Sequence, residues 1–309
     1  MDKKKKFDFI KYRYVAFAIS LLLIISGIAY GLITGYEFDI DFKGGTTIKA
    51  ELKEEFDNHE LQTLVTDITG SSALIQKTSG GDNSVTITTE PITQEVADQI
   101  VETLKQKYVN MEEPSVRNVQ ASYGEELLNS AVVALVVAIL IMLAYIFIRF
   151  KILGFTSALT AIISLIHDAL FVIAIYGVIK FPINSTFIAV ILTIIGYSIN
   201  NTIVIYDRIR ENKKIVSKSK EFDTVINDSI SQTMNRTIFT SLTTFVAVFV
   251  VFIFAVVYDQ QVLKEFSLPL MIGLLVGTYS SVFIAAPLWY TIDNLVSKIF
   301  KSKKSKKKK

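Results

Sequence analysis

Polar side chains lie inside apolar stretches of this chain, where they would meet hydrocarbon in a membrane. The densest group is Gly196-Tyr197-Ser198-Ile199-Asn200-Asn201-Thr202, which sets amides and hydroxyls within one apolar block. Another block contains His167 and Asp168 side by side. Polar groups in hydrocarbon cost free energy unless they are partnered. These groups therefore indicate either tight polar packing between helices or a path for something hydrophilic.

The spacing of the polar side chains predicts stripes, because residues three and four apart share one face of a helix. The predicted stripes are Ser157, Thr160, Ser164 and His167 with Asp168; Thr193, Tyr197 and Asn200 with Asn201; and Arg236, Thr240, Thr243 and Thr244. The three stripes could face one another within a helix bundle. Other interpretations stay open: hydroxyls that bond to their own helix backbone, an Arg236 that reaches the membrane edge, and His167 with Asp168 as a satisfied interhelical pair.

Two glycine motifs have structural interpretations. Gly273 and Gly277 stand four residues apart in the last apolar block, and this spacing predicts the close approach of two helices. Gly44 and Gly45 follow Asp41 in the run from Phe38 to Thr46. Glycine tolerates a positive φ, so this diglycine predicts a tight turn as the chain leaves the membrane.

The sequence pattern argues against catalysis. The chain has no cysteine and only two histidines, His59 and His167, so we expect neither a disulfide nor a zinc site. No nucleophile, base and orienting residue cluster in the stretch between the first two apolar blocks. We therefore predict a protein that is not an enzyme and that has no metal, no cofactor and no nucleic-acid partner.

The composition is that of a membrane protein, because hydrophobic residues make up 51% of the chain and gather in blocks. A helix needs about 20 apolar residues to span a bilayer. Six blocks reach that length: Tyr14 to Ile33, Leu127 to Ile148, Leu153 to Ile179, Ile183 to Tyr206, Ile238 to Tyr258, and Phe266 to Ile292. The first block is long and lacks an Ala-x-Ala-like cleavage site, so we interpret it as a retained anchor rather than a signal peptide.

Positive charges orient the chain, because lysine and arginine near membrane spans stay on the cytoplasmic side. They concentrate before the first block, between the second and third, between the fourth and fifth, and after the sixth. The net charge of +3 hides this asymmetry, since the segment from Glu37 to Glu126 is acidic. Both termini are therefore expected in the cytoplasm, with the lysine-rich tail attracting anionic lipid.

The predicted organisation has five parts. They are a basic cytoplasmic N-terminus (1–13), a first transmembrane helix (14–34), an extracytoplasmic α+β domain (35–125), a five-helix membrane domain (126–292) and a lysine-rich cytoplasmic tail (293–309). Periodicity in the α+β part follows the order strand, helix, strand, strand, helix, strand, which is the ferredoxin-like order. The predicted fold is a polytopic α-helical membrane protein with six transmembrane helices and one small ferredoxin-like domain.

Several motifs, in this order along the chain, resemble the SecF family of protein-export membrane subunits. They are Phe38-x-x-Asp41-Phe42-x-Gly44-Gly45, His167-Asp168, Gly196-Tyr197-Ser198-x-Asn200, Asp207-Arg208-Ile209-Arg210-Glu211-Asn212, Asn235-Arg236-Thr237-x-x-Thr240-Ser241-x-Thr243-Thr244, and Gly273-x-x-x-Gly277-Thr278-Tyr279-Ser280-Ser281. One such motif alone would be weak. Chance agreement of several ordered motifs is improbable.

The resemblance implies an RND-like half-transporter of the bacterial inner, or plasma, membrane. Such a subunit would pair with SecD, associate with the SecYEG channel and with YajC-like or YidC-like subunits, and use the proton-motive force to promote preprotein export after SecA-driven entry. The spans would carry the ion. The extracytoplasmic domain would hold or release the emerging preprotein.

One position departs from the family pattern, which the resemblance implies to be Tyr-Ser-x-Asn-Asp-Thr with the aspartate as a proton carrier. Here the position is Asn201, and an amide does not titrate in the physiological range. Three accounts follow: a carboxylate of SecD carries the proton, Asp168 has taken over, or the pair couples to another cation or only weakly. We favour the first, because the resemblance implies a SecD partner with its own intramembrane acid and because Arg236 still matches the family motif.

Two other functions remain as alternatives. A stand-alone RND-type exporter of small molecules is disfavoured, because the resemblance implies that such pumps have two large external domains and twelve spans in one chain. A scaffold that stabilises the translocon without coupling is slightly favoured by Asn201. Ion dependence of export separates a scaffold from a motor, and the resistance profile of a deletion separates a drug pump from an export factor.

Overall fold

The fold combines a helical bundle with one small sheet domain. The computed structural model describes residues 7–71, 73–78, 83–119, 121–149, 155–215, 222–258 and 260–306. In chain order, the elements are α1 (Arg13–Thr34), α2 (Ile40–Lys43), β1 (Gly45–Glu51), α3 (Asn58–Thr69), β2 (Leu74–Thr78), β3 (Ser84–Thr89), α4 (Gln94–Lys107), β4 (Ser115–Val119), α5 (Ala121–Arg149), α6 (Phe155–Ile179), α7 (Ser185–Ile215), α8 (Phe222–Val257), α9 (Gln261–Ser280), a π-helical segment (Ser281–Ala285) and α10 (Ala286–Lys306).

Six helical stretches of the described chain are long and apolar enough to cross a membrane. They are α1, α5, α6, α7, α8 and the continuous run from α9 to α10, and the prediction of six spans is confirmed. Several helices extend beyond the apolar blocks: α8 begins at Phe222, well before Ile238, and α10 continues to Lys306 within the predicted tail. Hydropathy marks only the apolar part of a helix, whereas its backbone hydrogen bonds continue past it.

The predicted basic termini are only partly described. Residues 1–6 at the start of the chain and residues 307–309 at the end of the lysine-rich tail lie outside the described residues. The described start of the chain packs against the bundle, since Phe9 and Ile10 are buried and the Ile10 amide donates to Asn227 Oδ1 over 3.2 Å. This contact ties the start of the chain to α8.

The centre of the bundle is formed by α6, α7 and α9, whereas α5 and α8 leave most of their surface exposed. Apolar side chains from the three central helices meet in one cluster that includes Val172, Ile191, Ile194 and Leu274. Helix α1 packs closely on α6, because a Cβ on Gly27 would lie 2.7 Å from the Ala174 Cβ.

The bundle has two ends, which we name from the parts of the chain beside them. The domain end carries the α+β domain, where α1 ends, α5 begins and Ile183 forms a bridge with Phe38 just before α7. The terminal end is the opposite one, where α1 begins and α10 ends.

The α+β domain is a four-stranded antiparallel sheet with the strand order β2-β3-β1-β4 and with α3 and α4 as its helices. Its core is fully buried at Ile48, Leu61, Ile87, Ile100 and Leu104. The order of elements is the predicted ferredoxin-like one, so this prediction is confirmed. Helix α5 begins at Ala121, which is inside the range assigned to the domain from sequence.

Candidate functional site

Asp168 lies at the middle of the bundle and its carboxyl group is fully buried. On α6 it is roughly 20 Å from Phe155 at the terminal end and about 17 Å from Ile179 at the domain end, at about 1.5 Å per residue. An unpaired carboxylate at such a depth would cost several kcal/mol, about 3 or more. Its hydrogen-bond partners therefore decide whether the site is stable.

Three side chains surround the Asp168 carboxyl group. The Ser198 hydroxyl of α7 donates to Oδ2 over 2.5 Å, and the Ser280 hydroxyl of α9 donates to the same oxygen over 2.8 Å. The His167 Nδ1 lies 2.9 Å from Oδ1. Among the described residues, the buried Nε2 of His167 has no hydrogen-bond partner. A carboxyl group held in this way can take up and release a proton while its neighbours stay in position.

Small residues bring α9 close enough for this arrangement. Gly273 faces the Ile194 side chain, and a Cβ on Gly277 would lie 3.1 Å from the Ser198 Cβ. Ser280 follows Gly277 by three residues, so both lie on the face that packs on α7. The two glycines thus stand at the contact between α9 and α7, and this contact brings two serine hydroxyls to one carboxyl oxygen.

The residues of the predicted polar stripe on α7 lie on two different faces of the helix. Asn201 is 2% exposed and points into the bundle, where its Nδ2 has no hydrogen-bond partner within the described residues. The buried Tyr197 hydroxyl also lacks a partner there. Asn200, the residue directly before Asn201, is exposed on the outside of the bundle, as is Thr193. The predicted stripe on α7 therefore does not act as one face.

The expectation that three polar stripes meet is wrong for α8. Arg236 and Thr240 are exposed and Thr244 is half-buried, whereas Thr237 and Ser241 form the buried face. The outward hydroxyls bond to their own helix, since the Thr240 hydroxyl donates to the Arg236 carbonyl over 2.7 Å and the Thr244 hydroxyl to the Thr240 carbonyl over 3.0 Å. Such local bonds satisfy the hydroxyls without a neighbouring helix.

Sequence reasoning assigned no role to the two serines that hold Asp168. Ser198 and Ser280 stood among the motif residues, but serine is common at helix contacts and neither belonged to a predicted stripe. A usable signal was present in α9, because Ser280 shares the face of Gly277 and so had to lie at the close helix contact.

Asp41 joins the α+β domain to the membrane bundle. Its side chain is 4% exposed; Oδ1 accepts a hydrogen bond from Arg117 Nη2 of β4 over 2.6 Å, and Oδ2 accepts from the Ser185 hydroxyl over 2.9 Å and from the Ser185 amide over 3.2 Å. Ser185 is the first residue of α7. A carboxylate there satisfies a free amide at the start of the helix and complements the helix dipole.

The glycines after Asp41 shape the same junction. The predicted tight turn is a one-turn helix, α2, which ends at Gly44 with φ +72. Gly45 has φ +151, and a Cβ there would lie 2.7 Å from the Thr89 carbonyl oxygen. Both conformations favour glycine. The diglycine thereby lets β1 start directly after the residues that carry Asp41.

Removing the Asp41 carboxylate is expected to loosen this junction. Asp41→Ala leaves Ser185 and Arg117 without their acceptor, and because Arg117 is largely exposed we expect a loss of about 1–3 kcal/mol in the free energy of unfolding. Thermal unfolding in detergent measures the loss. Asp39→Ala, which removes only the local acceptor for the Ile40 amide, is the matched control, and an equal shift in both variants would contradict the junction role.

Comparison with known proteins agrees with this arrangement. Residues 99–295 match the family described as "Protein export membrane protein SecD/SecF, C-terminal". The protein translocase subunit SecF of Borreliella burgdorferi is 35% identical over 304 residues, which cover 94% of this chain and 98% of that protein. SecF of Rhodothermus marinus is 33% identical over 290 residues, covering 91% and 92%.

Solved structures are similar as well. The crystal structure of SecDF, a translocon-associated membrane protein from Thermus thermophilus, superposes with a TM-score of 0.80 at 29% identity and covers 95% of this chain. SecDF in a super-membrane-facing form gives a TM-score of 0.69 at 28% identity. This chain spans 40% of each SecDF chain. The sequence matches and the shared arrangement of helices together show that this multi-pass membrane protein belongs to the SecF family of protein translocase subunits.

Proposed function

We propose that this chain pairs with a SecD protein and that the pair uses the proton-motive force to promote preprotein export. The solved relatives support the pairing, since they are named SecDF and this chain matches 40% of each. A polar surface on the outside of the bundle is the observation that carries the proposal.

That surface, here called the partner face, lies along α7 and α8. It consists of Thr193, Gly196, Asn200, Arg236, Thr240 and Thr243, all exposed. Polar side chains that face lipid at membrane depth are costly and usually turn towards protein or water. A Cβ on Gly196 would meet nothing within 4 Å, so the face also has room for a closely packed helix.

The depth of Arg236 follows from its helix contacts. The Ser241 hydroxyl lies 2.7 Å from the Thr278 hydroxyl, and Thr278 is two residues before Ser280, which bonds to Asp168. Ser241 is thus near the level of Asp168, and Arg236 is roughly 8 Å further towards the terminal end. The hydrocarbon extends about 15 Å on either side of its centre, so the Cα atom of Arg236 lies within the hydrocarbon.

A cation at this depth needs an anion, and a carboxylate on a SecD membrane helix is the partner we propose for Arg236. A guanidinium group binds a carboxylate through two parallel hydrogen bonds. Protonation of that carboxylate would weaken the pair and so couple proton uptake to the contact between the subunits. We propose that this carboxylate acts in series with Asp168, so the complex needs both groups to carry protons although position 201 is an asparagine.

The terminal end is proposed to face the cytoplasm of a bacterial inner membrane. Arg149, Arg208, Arg210, Lys213 and Lys214 lie there on the described ends of α5 and α7, which fits the positive-inside rule. The α+β domain then lies outside, where an exported preprotein emerges. SecYEG, YajC-like or YidC-like subunits and the preprotein are the further partners we expect.

Co-purification tests the pairing. The tagged chain is extracted in mild detergent with its cellular partners, and mass spectrometry quantifies SecD. We expect Gly196→Leu to lower SecD recovery about fivefold, because the leucine side chain occupies the space for a helix on the partner face without a clash inside this chain. Ala29→Leu, at an exposed position on α1, should not. Equal recovery in both variants would exclude the partner face as the contact.

An aspartate at position 201 is expected to raise proton-dependent export. Asn201→Asp puts a titratable group at a site that is 2% exposed and whose amide nitrogen has no partner in the described structure. We expect export at a given imposed proton gradient to rise about threefold. Inverted membrane vesicles provide the measurement. If export does not depend on the gradient in either the parent or the variant, the result would instead favour the scaffold function.

A further inference from the structure

Polar groups recur every four residues on three neighbouring helices, from Asp168 to the terminal end. On α6 they are Asp168, Ser164, Thr160 and Thr156; on α7 they are Ser198, Thr202 and Tyr206; on the run from α9 to α10 they are Ser281, the Ala285 carbonyl, Trp289 and Asp293. A spacing of four keeps each row on one helix face. We name these groups the polar ladder.

The rows meet in successive layers. Next to the Asp168 layer, the Thr202 and Ser281 hydroxyls lie 3.0 Å apart. One turn further, the Thr160 and Tyr206 hydroxyls lie 2.9 Å apart, and Tyr206 donates to the Ala285 carbonyl over 3.1 Å.

The last layer reaches the terminal end of the bundle. There the Trp289 indole N–H donates to the Thr156 hydroxyl over 3.1 Å, and that hydroxyl donates to Asp293 Oδ1 over 3.2 Å. From Asp168 to Thr156 the ladder covers roughly 18 Å along α6.

Burial changes along the ladder as a conduit requires. Asp168, Ser164, Thr160 and Tyr206 are fully buried, whereas Thr156 and Asp293 are half-buried at the terminal end. The carboxyl group of Asp293 therefore stands where the ladder meets the surroundings. The other direction from Asp168 is different, because the residue four positions on is the buried Val172. Among the described residues of α6, the polar row with this spacing therefore runs from Asp168 towards the terminal end and not towards the domain end.

Ser164 adds a hydroxyl with unused hydrogen-bonding capacity to the ladder. It is buried between the layers of Asp168 and Thr160, yet it has no hydrogen-bond partner within the described residues. Buried polar groups generally have a partner, so Ser164 is an exception, as the Tyr197 and Thr237 hydroxyls outside the ladder are. A hydroxyl that passes a proton needs spare donor and acceptor capacity, and serine has both.

We infer that the polar ladder conducts protons between Asp168 and the cytoplasm. This inference rests on the proposed function for its direction and for its use in export. In the uptake direction, Asp293 receives a proton from the cytoplasm, and each hydroxyl along the ladder accepts one proton and gives its own onward. The hydrogen bonds lie within layers, so each step of roughly 6 Å from one layer to the next requires a bridging water molecule. Asp168 ends protonated and every hydroxyl returns to its neutral state.

Two measurements test the ladder. In the first, the chain and its SecD partner are reconstituted in vesicles that contain a pH-sensitive dye, and proton flux follows an imposed pH step. In the second, infrared spectroscopy of the purified complex follows hydrogen–deuterium exchange of the Asp168 carboxyl group, assigned by the band that Asp168→Asn removes.

Variants of the ladder have matched controls in the same chain. Tyr206→Phe and Ser164→Ala remove ladder hydroxyls with little change in shape. Tyr176→Phe removes a buried tyrosine hydroxyl on the domain side of Asp168, where it donates to the Glu265 carbonyl. Ser20→Ala removes a buried serine hydroxyl on α1 that contacts Tyr279. We expect both ladder variants to slow flux and exchange about tenfold, and the controls to stay within about twofold of the parent.

The two measurements distinguish a failure of the proposed proton coupling from a failure of the polar ladder. A parent complex without proton flux, combined with slower Asp168 exchange in the ladder variants, would overturn the proposed coupling and keep the ladder. Parental exchange rates in Tyr206→Phe and Ser164→Ala would overturn the ladder even if the parent carries protons. So would the absence of an Asp168 band at every pH between about 4 and 9.

Discussion

Asp168→Asn is expected to abolish proton-driven export while the bundle stays assembled. Asparagine has nearly the same shape as aspartate, so Oδ1 of its amide can still accept a hydrogen bond from the Ser198 or Ser280 hydroxyl that now donates to the carboxyl group. The amide cannot take up or release a proton. Every step that needs a titrating group at this position is therefore lost.

The measurement is export into inverted vesicles at a fixed ATP level, with and without an imposed proton gradient. We expect the gradient-dependent part to fall at least about tenfold in Asp168→Asn. Asp67→Asn, on the exposed surface of α3, removes a carboxylate with the same chemical change and should leave export at the parental level. Recovery of SecD with the variant shows that assembly is intact.

Full gradient-dependent export by Asp168→Asn would exclude Asp168 as a carrier. The SecD carboxylate opposite Arg236 would then account for proton coupling by itself. Proton conduction along the polar ladder to Asp168 would then have no role in export. The experiment therefore distinguishes proton uptake at Asp168 from proton uptake at the SecD carboxylate alone.

Arg236→Ala is expected to abolish proton-driven export and to reduce SecD recovery. Truncation would leave the proposed SecD carboxylate unpaired within the membrane, and the loss of one member of a desolvated charge pair costs about 2–5 kcal/mol. Within the part of the chain that the structure describes, the exposed Arg236 guanidinium group takes part in no hydrogen bond or ion pair, so the bundle itself should be unaffected.

The pattern across substitutions identifies the role of Arg236. Arg236→Lys keeps the charge but not the planar group with its parallel hydrogen bonds, so we expect partial export. Lys214→Ala removes an exposed cation from the terminal end of α7 and should match the parent. Equal export by Arg236→Ala and the parent across a range of imposed gradients would exclude the coupling role.

Much of the architecture followed from the sequence. Apolar blocks of spanning length predicted six membrane helices, and alternating and helical periodicity predicted the order of elements in the ferredoxin-like domain. Both signals are local, because the bilayer thickness and the periods of strand and helix apply to each segment by itself. The ordered motifs, including Gly273 with Gly277, indicated the family for the same reason.

Tertiary structure alone decided which polar faces turn inward. The spacing of Arg236, Thr240 and Thr244 showed that they share a face, yet that face lies outside the bundle, while Ser198 and Ser280 turned out to hold Asp168. In water, the hydrophobic effect would have indicated the inward face. In a bilayer the surroundings are as apolar as the core, so an α-helix such as α8 has apolar side chains on nearly every side and its orientation depends on packing against its neighbours. The helical repeat therefore determined which residues share a face, and contacts between helices determined whether that face turns into the bundle or away from it.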